Sequence, residues 1–166
     1  MKTVQEIRDW MEDIRICMMC TLEADNSIAA RPMSVQKVDE MNHVWFFTHI
    51  DSEKVKEANK HQEVVLTFID QAKGIYMTVK GKGRSTQDKA LMQDLYHPMI
   101  KAWFPNGLED PKLGLLEVIP ESAEYWNSTG GKIGEMFSIA KALVTGATYE
   151  NGEHAEVRLQ SSVGSL

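Results

Sequence analysis

The 166 residues, 43% hydrophobic and 25% charged, have the size and composition of one folded domain, with no room for separate cofactor and substrate domains. Eighteen Lys and Arg against twenty-four Asp and Glu leave a net charge of −6, a field that repels nucleic acid and anionic membrane surfaces. A small anion can still be held by a few cations in one pocket, because salt screens distant charges over about 8–10 Å.

Thr3-Val4-Gln5-Glu6 forms a capping box, and Ile7, Trp10, Met11 and Ile14 follow at helical spacing, so Thr3 to Ile14 reads as an amphipathic helix. Ile16 to Leu22 is a strand, and the polar turn Glu23 to Ser27 leads to a second, Ile28 to Gln36. Cys17 and Cys20 have C-x-x-C spacing, but an offset of three in a strand sends them to opposite faces, and they read as small apolar strand residues. Val44 to His49 is a third strand. Asp51-Ser52-Glu53-Lys54 then opens a charged helix to about Lys60, with Ser52 as its N-cap. Glu63 to Asp70 and Gly74 to Arg84 form a hairpin through Gln71-Ala72-Lys73, and Ser85 to Asp88 starts a helix reaching about Tyr96. Trp103-Phe104-Pro105-Asn106-Gly107 interrupts regular structure. Leu113 to Trp126 is a last strand, broken or bent at Pro120; Gly134 to Val144 is a helix, and the tail after Gly146 is polar and loose.

These elements predict a domain over residues 1–146 and a polar tail over 147–166. About six strands joined mostly by hairpins give a mainly β fold, an antiparallel barrel with flanking helices, rather than a doubly wound sheet. No apolar run approaches the roughly 20 residues of a membrane span, and no hydrophobic signal region follows Met1, so a cytoplasmic protein is expected.

The five histidines, at 43, 49, 61, 97 and 154, form no ligand-spaced cluster, so no metal site is expected. Gly81-Lys82-Gly83 lacks the third glycine of a dinucleotide fingerprint, and Gly130-Gly131-Lys132 is followed by Ile133 where a phosphate loop needs Ser or Thr. The informative stretch is Ala30 to Lys54. A hairpin centred between Asp39 and Glu40 opposes Arg31 to Thr48 and Met33 to Phe46, and opposed residues share a face. Arg31 and Thr48 then meet the start of the helix at Ser52, where free backbone N–H groups, the Ser52 hydroxyl and the Lys54 ammonium gather. Guanidinium, hydroxyls, ammonium and helix amides together suit a phosphate monoester. Taken singly, Arg31 is also an ordinary strand-end cation, Ser52 a plain cap and Lys54 a solvated helix residue.

Arg31-Pro32-Met33-Ser34-Val35-Gln36, Trp45-Phe46-Phe47-Thr48 and Ser52-Glu53-Lys54 resemble the flavin mononucleotide (FMN) motif of the pyridoxamine 5′-phosphate oxidase-like split barrels. Ala102 to Pro111 and Ala123-Glu124-Tyr125-Trp126 resemble the general stress protein 26 branch, and the likeness runs from about Thr3 to Trp126. The resemblance implies that Arg31, Thr48, Ser52 and Lys54 hold the FMN phosphate. It places Met33 and Ser34 along the flavin, Gln36 near the polar edge of its ring, Phe47 beside the ribityl chain or ring, and Trp126 at the same cofactor. It also implies a homodimer with flavin at the interface. A small barrel fills its own interior, so a tricyclic ring outside it needs a second surface to bury it. Trp10 and Trp45 suit helix-on-barrel packing, whereas Trp103 and Phe104 suit an interface or a lid over the flavin.

Two departures bear on function. Asn127 to Lys132 stands where the pyridoxine-phosphate oxidases carry an arginine-rich stretch containing Arg-x-His, which puts that oxidation in doubt. Glu53 stands where they carry a second cation, which weakens the expected hold on flavin. The expectation is a flavin-dependent oxidoreductase acting on a small molecule or a reduced nicotinamide. The alternatives are a flavin-binding stress or sensor protein without turnover, and a barrel dimer without flavin. Tyr76 and His97 are the nearest suggestions for an acid or base, each also readable as structural.

Overall fold

At the start of helix α1 (Val4–Ile14) the Thr3 hydroxyl accepts the Glu6 N–H and the Glu6 carboxylate accepts the Thr3 N–H, the reciprocal cap expected from the sequence. That backbone hydrogen bond, with Lys2 beside it, pulls the Glu6 carboxyl down to about 2. Ile7 and Met11 are buried under α1, and Trp10 meets Tyr125 edge-on with ring centres 5.5 Å apart, the packing role expected for it. The computed structural model describes residues 1–128, 139–146 and 152–159.

The strands are β1 (Ile16–Leu22), β2 (Ile28–Ser34), β3 (Lys37–Val38), β4 (Val44–His49), β5 (Glu63–Asp70), β6 (Ile75–Thr86), β7 (Leu113–Asn127) and β8 (Glu153–Arg158). They lie in the order β2-β1-β5-β6-β7-β4-β3, with β8 also on β7, and every pairing is antiparallel. The sheet curls around Met19, Phe46, Leu66, Phe68, Val79 and Leu116, with α1 packed on the same core, and this is the mainly β split barrel expected. The split lies where β2 ends. Val35 N–H then goes to the Arg15 carbonyl and Gln36 N–H to the Trp45 carbonyl, both at 2.8 Å, as the chain leaves one sheet end for the other.

That crossing corrects the expected hairpin. β2 pairs with β1, setting Arg31 opposite Met19 and Met33 opposite Cys17, and only Lys37 and Val38 pair with β4. The turn is centred on Met41, because the Asp39 carboxylate accepts the N–H groups of Met41 and His43 and so starts the turn instead of sitting at its centre. Arg31 and Thr48 are therefore not cross-strand partners.

Helix α2 (Glu53–His61) follows β4, and helix α3 (Lys89–Leu95) follows β6. β6 continues to Thr86, past the expected helix start, because Ser85 and Thr86 pair with Leu116 and Leu115; Asp88 then caps α3 by accepting the Leu91 N–H. α3 and the 3₁₀ turns Pro98–Ala102 and Gly107–Glu109 cover the outer face of β4 and β7, burying Trp45, Phe47, Met92, Ile100 and Phe104 in a second core. Trp45 thus packs as expected. Phe104 is core rather than lid, while Trp103 is 66% exposed.

Residues 139–145 are helical, and the remainder of the helix expected from Gly134 lies outside the described residues. The tail expected to be loose contributes β8, which pairs Val157 with Ala123 and His154 with Trp126. Glu153–Arg158 alternates half-buried and exposed positions with Val157 buried, a strand pattern hidden in a polar sequence. Cys17 lies in the core and Cys20 is half-buried, and burial, with Cys20 nearby, pushes the Cys17 thiol up to about 12. Among the described residues no helix is long and apolar enough to cross a membrane.

β7 is one continuous strand that accommodates Pro120 by bulging: across the Lys80–Gly81 step of β6 the partner shifts from Ser122 to Pro120, so Glu121 is the extra residue. A Cβ on Gly81 would lie 2.3 Å from the Ile119 carbonyl oxygen, a backbone atom that cannot swing away. Gly81→Ala is expected to lower stability by about 1–3 kcal/mol, read as a lower urea midpoint with unchanged slope. An unchanged midpoint would show that the bulge relaxes freely.

Candidate functional site

The junction between β4 and α2 is tied by its own backbone: Ile50 N–H donates to the Lys112 carbonyl at 2.9 Å and Ser52 N–H to the His49 carbonyl at 3.1 Å. The Thr48 and Ser52 hydroxyls both donate to the His49 carbonyl, at 3.4 and 2.6 Å, so the two side chains gather at one point. Ser52 occupies the N-cap position as expected, yet its hydroxyl turns back to His49 and makes no side-chain cap to the helix. The first-turn amides of α2 lack that partner, and the positive end of the helix faces this junction.

Below it lies Arg31. β2 pairing with β1 puts Arg31 on the inward face with Met19, and its guanidinium donates to the buried Thr21 hydroxyl at 2.8 Å. Lys54 in the first turn of α2 is half-buried. Burial, and then the positive charge of Arg31, hold the Lys54 pKa below the ordinary lysine value. α2 reaches this position because Val55 and Ala58 are buried beneath it and β6 offers Gly83, where a Cβ would come within 3.1 Å of the Ala58 Cβ. Two like charges on separate elements therefore converge beside uncapped helix amides and two hydroxyls, an arrangement that favours an anion.

The strand pattern sorts the other predicted residues by face. Phe46 belongs to the barrel core and Phe47 to the outer one, so Thr48 shares the inner face with Arg31 while Phe47 points away, packed with Ile100 and Phe104. Met33 is buried on the inner face. Ser34 and Gln36 are half-buried at the split, where the Gln36 amide donates to the Ser34 carbonyl at 3.0 Å. Trp126 lies elsewhere, on the outer face, 42% exposed, between Tyr76 on β6 and His154 on β8. Tyr76, likewise on that face, is 44% exposed. His97 accepts the Met99 N–H at 3.3 Å and caps a 3₁₀ turn, a structural use of this residue.

Sequence reasoning missed Thr21, whose place on the buried face of β1 next to Arg31 only strand pairing reveals. It also missed a charged cluster apart from this site. Glu117 is buried under 3% exposure and is held by the Arg84 guanidinium and by His43 Nδ1 at 2.6 Å, while Asp39 accepts the Trp45 indole N–H at 3.0 Å. These contacts pin the β3–β4 turn to β6 and β7, and they satisfy a buried carboxylate that would otherwise be costly.

A family model described as pyridoxamine 5′-phosphate oxidase like matches residues 2–150. Among solved structures, a candidate general stress protein 26 from Jannaschia superposes with a TM-score of 0.73 at 28% identity, covering 93% of this chain and 96% of that one. A general stress FMN/FAD binding protein from Xanthomonas citri superposes with a TM-score of 0.64 at 24% identity over 74% of this chain and 87% of its own. Among curated relatives, the protein bli-3 of Neurospora crassa is 24% identical over 153 residues, 86% of this chain and 73% of the relative.

Because folding lowers the Lys54 pKa, the charged lysine works against the fold below that folded value. The penalty is released as pH rises from there towards the ordinary lysine value. At neutral pH and without any anion, Lys54→Met is expected to gain about 0.3–1 kcal/mol in urea unfolding. A loss of stability would mean that Lys54 serves the fold rather than a ligand.

Proposed function

The chain belongs to the pyridoxamine 5′-phosphate oxidase-like family, and on that premise we propose that it binds FMN at the Arg31–Lys54 junction. The observation that carries this reading is the convergence of Arg31 and Lys54 at the start of α2, where burial and like charge already press on the lysine. An incoming phosphate relieves both. In this reading Arg31 and Lys54 neutralise the phosphate, Thr48 and Ser52 offer hydroxyls, and the first-turn amides of α2 point at its oxygens. Met33 and Ser34 run along the flavin through the β2 backbone, and Gln36 meets its polar edge. Phe47 backs the site from the outer core.

In this reading Trp126, on the outer face of the sheet, does not meet the same cofactor as the inward-facing Arg31 within one chain. A homodimer supplies the missing geometry, with Trp126 of one copy meeting the flavin held by the other. Ile16, Ile69, Tyr76 and Trp126 are all exposed, an apolar outer surface suited to a second copy.

The flavin, when bound, would supply hydride and electron transfer, and the chain's own groups hold its phosphate and set its surroundings. We assign a cytoplasmic flavin-dependent oxidoreductase that moves electrons between a reduced nicotinamide or small organic molecule and the flavin. The competing reading, a flavin-binding protein without turnover, is favoured by one observation: Asn127 to Lys132 contains no arginine to grip a phosphorylated substrate.

A visible spectrum of the purified protein titrated with FMN tests the binding. Arg31→Ala and Lys54→Ala are each expected to weaken FMN binding by about 1.5–3 kcal/mol, the usual worth of a charged hydrogen bond. Unchanged affinity in both variants sinks the site. Anaerobic bleaching of the bound flavin by NADH or NADPH, followed by reoxidation with added acceptors, separates the oxidoreductase from the protein without turnover.

A further inference from the structure

β8 brings one titratable ring to a place the sequence left blank. His154 lies opposite Trp126 in the β7–β8 pairing, and their rings are parallel to within 6° with centres 4.8 Å apart. The His154 Nε2 contacts the Glu124 carboxylate at 2.9 Å, and Glu124 projects from the same face of β7 two residues before Trp126. The contact also offsets a local conflict, since Glu124 is paired directly with Glu156 and like charges across a ladder repel. Tyr76, Trp126 and His154 thus form one row of rings across β6, β7 and β8.

We infer that His154 is a positioning residue of the flavin site: held by Glu124, it stacks on Trp126 and fixes that indole flat for the cofactor. The inference rests on the reading in which Trp126 meets flavin. Trp126 is 42% exposed and has no other ring stacked on it among the described residues. A free indole on an open sheet must be ordered when a ligand arrives. The imidazole, anchored at one nitrogen by a carboxylate on the neighbouring strand, does this ordering in advance.

The test is an FMN titration of full-length wild type, His154→Ala, His154→Phe and Lys54→Ala, following flavin fluorescence and the visible band. His154→Ala is expected to weaken binding by about three- to tenfold, the worth of one side chain ordered beforehand, and to change the shape of the bound flavin's visible band. His154→Phe, which keeps a ring over Trp126, is expected to restore affinity to within about twofold, with wild-type band shape. Wild-type affinity and spectrum in His154→Ala overturn the inference, and so does a His154→Phe variant as weak as His154→Ala. If wild type binds FMN and Lys54→Ala weakens it, those results remove the inference alone. If wild type takes up no FMN, the proposed function falls with it.

Discussion

Arg31 and Lys54 sit near one another at one end of a barrel interior, and the rest of the site is arranged to keep them there. Neither element alone sets the contact. Arg31 is aimed inward by β2 pairing with β1 and steadied by the buried Thr21 hydroxyl, while Lys54 is carried in by α2, whose seat depends on Ala58 meeting Gly83. A fold optimised for stability alone would put an apolar residue or a carboxylate at the lysine. Keeping a half-buried cation beside another, at the positive end of a helix, makes sense when an anion completes the set.

Sheet pleat divides the work between two faces. Inward positions of β1, β2 and β4 carry Thr21, Arg31, Met33 and Thr48 beside the core residues, so the groups of the proposed anion site rest on the packed barrel wall. Outward positions of β1, β5, β6 and β7 carry exposed Ile16, Ile69, Tyr76 and Trp126. In the proposed dimer a planar ligand with one charged tail uses both kinds of surface, the outer face coming from another copy. The second core, built by α3 and the 3₁₀ turns around Phe47 and Phe104, covers the outer face of β4 and β7 instead.

Local chemistry was the legible part of this chain. The capping box, the β5–β6 hairpin, the short helix after His49 and the opposite faces of Cys17 and Cys20 follow from patterns spanning a few residues, and each is present. The residues of the proposed anion site can be picked out of the sequence as a set, but the pairing invoked to unite them is not the one the fold uses. Asp39 reads equally as the middle or the start of a turn, and only its carboxylate bonding to two later amides decides the register. Arg31 and Thr48 share a face because the barrel curls, a long-range fact that no hairpin rule contains. β8 escaped because its alternation is carried by Ala155 and Val157 amid charges, and its partner lies far upstream on β7.

The same long-range pairing gives the two halves of β7 different neighbours. β7 holds β6 along one edge and divides the other between β4, from Leu113 to Val118, and β8, from Ser122 to Asn127. The half beside β4 belongs to the frame that carries the Thr48–Ser52 junction. The half beside β8 ends at Trp126 and is sealed by residues that composition assigns to a tail. A strand added at an edge can bring new side chains next to an existing ring with few inward residues, here Ala155 and Val157 with Leu159 just beyond the strand. The Trp126 end of β7 can therefore take new side chains while the proposed anion site keeps its packing.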